Sequence, residues 1–577
     1  MLTKVLTIDL SRCRYSIEDR KDLFEEWLGG VGVAVQLLKE NMDIKADPLS
    51  EENVIVFAVG PLTSAYPLAS KTVALFKSPL TGNLGESHAG GRTATSIANA
   101  GYGAIVIKGR SKKPVYVVID NSKVHFRDAR VIWGIEDSLI VGRIIAEKEH
   151  GRGTRTVMRI GGGGEKLVRY ACVTTETYRH FGRLGLGAVF GSKNLKAIVI
   201  NGRGSRKVTD RKAYREIYDE IFRLAIESDA MKKYHLLGTA VNVNPLNGIG
   251  ALPTKNLKQT RFEKAEEISG EGLAEVIGRR IACSHCPVAC VHIAVLRLPY
   301  ENEPYFYKTI MISYDYELLY SLGSMLGIGS KEGLLRLIHK VETYTLDAMS
   351  TGVCLAWATE ALEKGIISRD DTIVDLKFGD CDAYLKAIDY IVRQPNDFYR
   401  NLACGAEHAA KVYGGSDFAL TFGKNEMPGY HTGYAAHIGY LIGLRHSHLD
   451  NAGYSLDQKL KEYPEPEELV GKLIKEEQWR QVLSSLVVCF FARGVYKADI
   501  VRKALKPLGI EISEDELNRL GEKIYFEKLR LKKLMGFDVS ELRIPKRIFE
   551  IETPHGKLNE DYIRRALEYY AKIVSEV

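Results

Sequence analysis

The chain lacks long hydrophobic runs, and this absence argues against a membrane-spanning helix. Its longest apolar stretches, such as SSLVVCFFA at 484–492, are about half as long as the roughly 20 residues that a helical span needs. The first residues, MLTKVLTIDLSRCRYSIEDR, carry charge at Lys4 and Asp9, so they contain no apolar region of the length that a secretory signal requires. We therefore expect no membrane span and a cytoplasmic location.

Cysteine is scarce as well, with nine residues among 577. Nine is an odd number, and three of the nine are crowded into residues 283–290. A framework of paired disulfides is typical of small secreted domains, and this distribution argues against one. The thiols of a chain this long are expected to be reduced, because its cores are large enough to be stable without cross-links.

Charge of one sign is not concentrated anywhere in the chain. The 80 basic and 73 acidic side chains leave a formal charge of +7, and no run of five like charges occurs. So thin an excess argues against a nucleic-acid partner. It is compatible with an acidic protein partner.

The N-terminal third of the sequence is rich in short β-branched runs bounded by glycine. Examples are NVIVFAVG, KTVALFK, AIVIKG, PVYVVID and LKAIVINGRG. After residue 206 the apolar residues recur at three- and four-residue spacing, and Asp210 is a plausible N-cap for the first such helix. Further helical patterns cover 331–364, 383–393, 400–413, 466–480, 496–507, 514–535 and 559–576.

These sequence patterns predict an α+β multidomain fold, with a β-rich N-terminal domain followed by two mostly α-helical domains. We place the domains at 1–206, 207–415 and 416–577. The glycine-rich segment GRLGLGAVFGSKNLK does not complete a dinucleotide fingerprint, because Phe190 stands where glycine or alanine is needed. Its Gly-Ser-Lys order also reverses the phosphate-loop motif, so neither NAD nor ATP is indicated.

The segment CSHCPVACVH carries Cys283, Cys286 and Cys290 in a C-x2-C-x3-C spacing. Three close cysteines with one remote cysteine are typical of a [4Fe–4S] cluster. Zinc is the alternative, with His285 or His292 as its fourth ligand, but no second Cys-x2-Cys or His-x3–5-His pair follows. Spacing alone does not choose the remote ligand among six candidates, Cys13, Cys172, Cys354, Cys381, Cys404 and Cys489.

Several longer segments, in order, resemble the tungsten-containing aldehyde:ferredoxin oxidoreductase family. In the β-rich part they are KSPLTGNLGESHAGGRTATSIANAGYGAIVIKG, IGGGGEKLVRYACV and GRLGLGAVFGSKNLKAIVI; later come the cysteine run, YELLYSLGSMLGI, LDAMSTGVCLAWATEAL and SSLVVCFFA. The resemblance spans most of the chain. It implies a tungsten ion held by two molybdopterin-type pterins beside a [4Fe–4S] cluster, and a magnesium ion bridging the pterin phosphates is a further expectation.

The resemblance also implies roles for individual residues. Cys489, in SSLVVC, matches the fourth cluster ligand. Lys77 matches a basic residue that bridges cluster and pterin. The remaining matches to pterin contacts are Ser87, His88, Ala89, Gly90 and Gly91 of SHAGG, Arg183, Leu184 and Gly185 of GRLGLG, Glu342, Leu346 and Asp347 of the ETYTLD segment, and Val488.

The sequence departs from the family pattern at several of these positions. Ser484 stands where an acidic pterin ligand is usual, and His88 replaces an asparagine. Glu342 and Thr345 occupy the usual Asx and Gly positions of the other pterin motif. Glutamate and aspartate accept pterin N–H bonds, whereas a serine hydroxyl is a weaker acceptor. As an alternative, Asp347 is a local helix-cap residue.

Two catalytic positions are implied near the metal. Glu317 of DYELLYSLG matches a family glutamate, although a charge at a helix N-terminus is the simpler interpretation. The segment GLRHSHLDNAG offers His448 first and His446 second as the family histidine, with Arg445 nearby. A carboxylate kept from bulk water has a raised pKa and is suited to accept a proton from an attacking water.

The expected function is oxidation of a small aldehyde to a carboxylic acid, with electrons leaving through the cluster to ferredoxin or a small ferredoxin-like subunit. Two alternatives stay open: low-potential reduction of aromatic acyl-CoA or carboxylic acids with the same cofactors, and a non-catalytic electron-transfer subunit. Formation of an oligomer is also left open by the sequence.

Overall fold

The computed structural model describes residues 2–176, 178–300 and 302–577. Strands dominate up to Gly202 and helices dominate from Arg211 onward. The predicted fold class, a β-rich N-terminal part followed by a mostly helical part, is confirmed. Within the described ranges, no helix combines the length and the apolar character needed to cross a membrane.

The N-terminal part holds two six-stranded sheets. In the first sheet the spatial order is β2-β1-β6-β3-β4-β5, and in the second it is β11-β10-β9-β12-β7-β8. Only the β1–β6 and β7–β12 pairs are parallel among the described strands. The strands of the first sheet are β1 (Lys4–Asp9), β2 (Arg14–Asp19), β3 (Ile55–Ala58), β4 (Thr72–Lys77), β5 (Leu84–Ala89) and β6 (Ala104–Lys108). Those of the second are β7 (Val115–Asp120), β8 (Lys123–Asp128), β9 (Thr154–Arg159), β10 (Val173–Thr175), β11 (Arg179–Phe181) and β12 (Leu195–Gly202).

A shared apolar core joins the two sheets. Ile55 and Phe57 of the first sheet pack in one buried cluster with Val117 and Ile198 of the second. The Phe57 ring meets the Phe181 ring edge-on at 5.4 Å, a favourable aromatic geometry. The helices of this part are α1 (Lys21–Trp27), α2 (Gly30–Asn41), α3 (Thr93–Asn99), α4 (Ser138–Lys148), α5 (Gly162–Glu165) and α6 (Leu186–Ser192).

The helical part begins where Asp210 accepts hydrogen bonds from the backbone N–H groups of Lys212 and Ala213, as predicted for an N-cap. Its first helices are α7 (Arg211–Glu227), α8 (Asp229–Leu237), α9 (Val243–Ile249), α10 (Gly270–Leu273), α11 (Tyr316–Leu322), α12 (Lys331–Tyr344), α13 (Ala348–Glu363), α14 (Arg369–Thr372), α15 (Cys381–Arg393), α16 (Asp397–Leu402) and α17 (Ala406–Tyr413). Later come α18 (Tyr434–Ile442), α19 (His448–Asn451), α20 (Gly453–Asp457), α21 (Pro466–Ser485), α22 (Ala498–Leu505), α23 (Glu514–Leu534), α24 (Arg547–Glu550) and α25 (Glu560–Ser575).

The pattern predicted as one helix over 331–364 is two helices. Thr345 has a φ of 57°, and Asp347 caps the second helix by accepting the N–H of Met349. The break matters for the site because it turns residues 345–347 toward the N-terminal sheets, where the Asp347 N–H bonds the carbonyl of Tyr170 at 2.9 Å.

A three-stranded antiparallel arm interrupts the helices. It consists of β13 (Ile277–Ile281), β14 (Val291–Tyr300) and β15 (Glu303–Tyr314) in that spatial order, and a short hairpin of β16 (Thr421–Phe422) and β17 (Asn425–Glu426) follows later. The C-x2-C-x3-C loop joins β13 to β14, so the arm fixes both ends of that loop.

A second core ties the end of α21 to the N-terminal part. Leu483 and Val488 share a buried cluster with Val31 and Leu75. The contact is close: a Cβ at Gly30, whose φ is +43°, would lie 2.3 Å from the Ser484 carbonyl oxygen. Glycine at this position therefore lets α21 approach and brings Cys489, four residues past the end of α21, against the first sheet. The domain boundaries at 206 and 415 stay predictions.

Candidate active site

A cavity of about 370 Å³ lies where the two sheets, the arm and the helical part meet. Its wall draws on the β5 and β11 strands, the start of α11, the break between α12 and α13, the loop before α19 and the segment after α21. Eight of the expected cofactor contacts reach it: Ser87, His88, Arg183, Leu184, Glu342, Leu346, Asp347 and Val488. Ala89, Gly90, Gly91 and Gly185 lie in the chain beside the wall rather than in it.

The four expected cluster cysteines come together at one end of the cavity. The Leu68 N–H bonds the His285 carbonyl at 3.1 Å, and the Cys489 N–H bonds the Leu68 carbonyl at 2.9 Å. One loop of the N-terminal part thus holds both cysteine segments. Burial is the main cause that raises the pKa of Cys286 to about 12 and that of Cys290 to about 11. The neighbouring thiols, with Cys489 among them, raise both pKa values further.

The four cysteines do not form a single-ion site among the described residues. Tetrahedral zinc with bonds of about 2.3 Å sets its sulfurs roughly 3.8 Å apart. Within the described residues, no three Cys, His, Asp or Glu side chains are close enough to share a single metal ion. Four converging thiols suit a [4Fe–4S] cluster, whose irons each take one cysteine.

Positive charge surrounds the cysteine end of the cavity. Burial alone would raise the pKa of the Cys283 thiol, but the Arg179 guanidinium and Lys71 outweigh burial and lower it. Arg179 and Lys71 both line the cavity, and sequence analysis missed both. Cations here stabilise thiolate ligands and a reduced cluster.

Lys77, predicted to bridge cluster and pterin, does not reach the cavity. Its ammonium donates to the carbonyls of Ile44 at 2.8 Å and Ala46 at 2.9 Å, and the side chain is buried there. Lys77 ends β4 and its side chain turns toward the loop after α2, so the structure does not bring it beside the expected pterin contacts, and its bridging role stays a prediction. Arg179 and Lys71 supply the positive charge instead.

Gly90 gives the cluster loop room to approach the first sheet. A Cβ at this position would lie 2.8 Å from the Cys283 sulfur and 3.1 Å from the Arg179 guanidinium. The Ser284 N–H bonds the Gly91 carbonyl at 2.9 Å, so the two segments are also joined through their backbones. The SHAGG segment therefore supports the cysteine loop directly.

We expect Gly90→Ala to lower the iron content of the folded protein by at least half, because the added methyl displaces a thiolate ligand and its neighbouring cation. Iron per chain and the absorbance near 400 nm measure this. Gly471→Ala is the matched control, since a Cβ there meets no atom within 4 Å. Equal iron in both variants would contradict the assignment of this loop.

Arg183 organises the opposite end of the cavity. Its Nε donates to Asp347 Oδ2 at 3.0 Å and its Nη2 donates to the Glu426 carbonyl at 2.8 Å. Its Nη1 is buried without a hydrogen-bond partner, as is the Nε of Arg179. Asp347 accepts the Met349 N–H and the Ser350 hydroxyl as well, so it is a helix cap and an ion-pair partner together.

Two histidines on the wall bind acidic side chains. The His88 ring nitrogen Nε2 is 2.6 Å from Glu86 Oε1, and His180 Nε2 is 2.9 Å from Glu342 Oε1. Glu86 is fully enclosed and also pairs with Lys528 at 2.5 Å. This charge compensation lowers the pKa of Glu86 well below its usual value, although burial alone would raise it.

Glu317 and His448 face each other across the cavity. The His448 Nε2 lies 3.3 Å from Glu317 Oε1, and Glu317 Oε2 accepts the Gly429 N–H at 3.2 Å. Burial raises the pKa of Glu317 to about 8 and lowers the pKa of His448 to about 3. The 3.3 Å approach is not aligned as a hydrogen bond, so Glu317 Oε1, like His448 Nδ1, has no hydrogen-bond partner. Glu317 also lies in the first turn of α11, as the simpler interpretation expected.

Aromatic rings form the wall beside this pair. The Tyr430 ring stacks on Tyr454 at 4.1 Å and lies 5.3 Å from the His448 ring. Tyr316 lies 4.9 Å from Tyr430. These rings, with Phe490 and Phe491, give the cavity an apolar surface next to two proton-handling groups.

His446, the second choice for the catalytic histidine, is outside the cavity. Its Nε2 is 2.8 Å from the Lys532 ammonium, and its Nδ1 is 2.9 Å from the Tyr440 carbonyl. The turn that separates the two histidines is held by Asp450, which accepts the Arg445 and Ser447 N–H groups at 3.0 Å each. Asp450 therefore positions His448 toward Glu317.

The residues present fit the expected cofactors. Buried donors on Arg179 and Arg183 lack protein partners and line the cavity. Such donors are suited to bind a pterin or phosphate acceptor. The four thiols supply a complete donor set for the cluster. Ser484 is buried at the end of α21 and does not line the cavity. It therefore does not replace the acidic pterin ligand that is usual at this position.

Known proteins resemble this chain over its whole length. Residues 5–202 match the family model of the aldehyde ferredoxin oxidoreductase N-terminal domain, and residues 216–574 match that of domains 2 and 3. The tungsten-containing aldehyde ferredoxin oxidoreductase of Thermococcus kodakarensis is 32% identical over 98% of this chain and 94% of its own. That of Pyrococcus furiosus is 32% identical over 96% and 92%.

More distant relatives have other names. A WOR-like subunit of an aliphatic sulfonate oxidoreductase from Pyrococcus furiosus is 28% identical over 99% of this chain and 94% of its own. Among solved structures, a chain of the active-site complex BamBC of benzoyl coenzyme A reductase with 1,5-dienoyl-CoA superposes with a TM-score of 0.81 at 20% identity, covering 100% of this chain and 94% of that one. The last likeness shows a shared fold. By its family models and its curated relatives, this chain belongs to the aldehyde ferredoxin oxidoreductase family.

Proposed function

We propose that this protein oxidises aldehydes to carboxylic acids with a tungsten bis-pterin and passes the electrons through a [4Fe–4S] cluster to a ferredoxin or a ferredoxin-like subunit. The single observation that carries the proposal is the Glu317–His448 pair, which faces the cavity that contains the expected pterin contacts and ends at the cysteines. When bound, the tungsten centre supplies the two-electron chemistry and the cluster divides it into single electrons.

The chain's own residues supply binding, orientation and proton handling. Cys283, Cys286, Cys290 and Cys489 would hold the cluster. Arg183, Asp347 and Glu342 would hold pterin donors and acceptors at one end of the cavity. The aromatic wall would orient an apolar aldehyde and exclude bulk water from the pair.

The oxidation adds a water oxygen to the aldehyde carbon and releases two electrons and two protons. We assign Glu317, once ionised, to accept the proton of the attacking water. His448, neutral because of its low pKa, positions that carboxyl from 3.3 Å away, and the proton then passes from Glu317 to solvent between turnovers. The high pKa of Glu317 makes its carboxylate a strong enough base for this task.

A second candidate is low-potential reduction of an aromatic acyl thioester with the same cofactors. The stacked Tyr430 and Tyr454 rings favour it, because a planar aromatic group would pack against them beside the Glu317 acid. At neutral pH the protonated Glu317 is an acid, and reduction needs a proton donor where oxidation needs a base. The third alternative, an electron-transfer subunit without pterins, is disfavoured by the unpartnered arginine donors in the wall.

The two catalytic candidates are separated by presenting both substrate classes to the same anaerobically purified holoenzyme. We expect aliphatic and aromatic aldehydes to reduce a viologen dye at rates at least about a hundredfold above the rate of benzoyl-thioester reduction driven by a reduced dye. Iron, tungsten and molybdenum are measured on the same sample. Thioester reduction without any aldehyde oxidation would contradict the proposal and support the second candidate.

A further inference from the structure

A cluster of exposed cations lies against the outer side of the cysteine loop. We call it the basic patch: Lys232 and Lys233 of α8, and Arg280 of β13, whose guanidinium contacts α8. The two segments that form this surface, 229–237 and 277–290, contain these three cations, Arg279 on the opposite face of β13, and one acidic residue, Asp229. Leu236, with 58% of its surface exposed, lies one turn after Lys232 on α8 and adds an apolar contact.

The patch is attached to both cysteine segments. His235 Nδ1 is 2.8 Å from the carbonyl of Val288, inside the loop that carries the three clustered cysteines. The ring of Tyr234 stacks on Phe491 at 4.3 Å, two residues after Cys489. The guanidinium of Arg280 donates to the Leu236 carbonyl at 3.3 Å, which joins β13 to α8. A partner on this surface therefore sits directly over the cysteines.

The cysteine segments connect the cavity to this surface. Cys290 and Cys489 line the cavity, whereas His285 of the same loop is exposed and Cys286 is half-buried. A cluster held by these thiols thus has one side toward the reacting groups and the other toward the patch.

We infer that the basic patch is the docking surface for a small acidic one-electron carrier. This rests on the proposed function, because it assigns the partner of the proposed cluster. Opposite charge steers such a carrier into place and accelerates encounter. The transfer moves one electron from the reduced cluster to the oxidised carrier, and no bond forms or breaks. A second copy of this chain does not fit, because a two-fold contact would set three cations against three cations.

The test uses chemically reduced holoenzyme, so that it does not depend on any substrate. The cluster is reduced with dithionite, excess reductant is removed, and its reoxidation by an oxidised acidic bacterial ferredoxin is followed by stopped flow. We expect Lys232→Glu/Lys233→Glu to slow the second-order rate about tenfold or more at low ionic strength. The wild-type rate falls with added salt, and the variant's rate loses most of that dependence.

The matched control is Lys112→Glu/Lys123→Glu, which makes the same charge change at the opposite part of the fold. Lys112 precedes β7 and Lys123 begins β8, the edge strand of the second sheet. We expect this control to react at nearly the wild-type rate and both variants to reduce a small viologen equally fast. An unchanged rate in the patch variant, or equal slowing in both variants, would overturn the inference. Absence of aldehyde oxidation in the wild type would instead count against the proposed function alone.

Discussion

Cys489→Ala should yield a protein with three irons or fewer per chain, a changed cluster EPR signal and almost no dye-linked turnover. The reason is structural, since Cys489 is the one cysteine outside the 283–290 run whose thiol influences both Cys286 and Cys290. A [4Fe–4S] cluster with three protein thiolates loses an iron readily or takes a weaker ligand at the fourth. Electrons then have no competent route from the cavity to the carrier.

Cys354→Ala is the control for that substitution. Cys354 is fully buried on α13, with its sulfur 3.9 Å from Glu426 Oε1, and belongs to the large helical core rather than to the cysteine cluster. We expect four irons and the native EPR signal in this variant. A Cys489→Ala protein that keeps four irons and the native signal would show that another residue is the fourth ligand.

Glu317→Gln should reduce kcat by about 10²–10⁴-fold while tungsten and iron contents stay at wild-type levels. The amide keeps the size of the side chain and its contact with the Gly429 N–H but cannot accept the proton of the attacking water. Glu468→Gln, on the exposed face of α21, is the matched control and should retain full activity. A metal-replete Glu317→Gln protein with wild-type kcat would refute the proposed base.

The pH profile gives the same residue a second readout. With a pKa of about 8, Glu317 is protonated below that pH and unable to act as a base. In the wild type kcat should therefore rise with pH through about 8 and then level off, if proton abstraction limits the rate. His448, with its pKa near 3, stays neutral across this range and adds no second limb. The Glu317→Gln profile should lack the rise.

The broad fold was predictable because hydrophobic periodicity is a local signal. Runs such as NVIVFAVG and LKAIVING repeat every second residue or are apolar throughout, and the helical segments show three- and four-residue spacing. The break at 345–347 was missed because the apolar periodicity continues from one helix into the next. Asp347 can cap a helix, but the sequence does not show that a new helix begins at this residue. Strand order within the sheets needed the structure, since β6 inserts between β1 and β3.

The site was predictable only in part, because its contacts join distant residues. Glu317 meets the Gly429 N–H across 112 residues, and Arg183 meets the Glu426 carbonyl across 243. The family resemblance pointed to Cys489, Arg183 and Asp347. It also pointed to Lys77, whose ammonium lies at the Ile44 carbonyl outside the cavity, because adjacency to SPLTG does not say toward which side a lysine at the end of a strand projects. Tyr430, in the segment GKNEMPGYHTGY, and Arg179, which precedes GRLGLG, were not singled out.

The choice between the two histidines shows the same limit. His446 and His448 differ by two positions, and sequence alone ranked them without separating them. The turn at His446, with a φ of 54°, and the Asp450 contacts send the first ring to Lys532 and the second to Glu317. The backbone geometry of residues 446–448 decides which histidine ring faces Glu317, and no local sequence pattern predicts that geometry.

The central claim is that an aldehyde in this cavity delivers electrons to the cluster of Cys283, Cys286, Cys290 and Cys489. The most direct measurement mixes oxidised, metal-replete holoenzyme with an aldehyde under anaerobic conditions and records the cluster's EPR spectrum and the carboxylic acid formed. Our account predicts a reduced-cluster signal together with the carboxylic acid. A cluster that dithionite reduces but that no aldehyde reduces, with no acid formed, would contradict it.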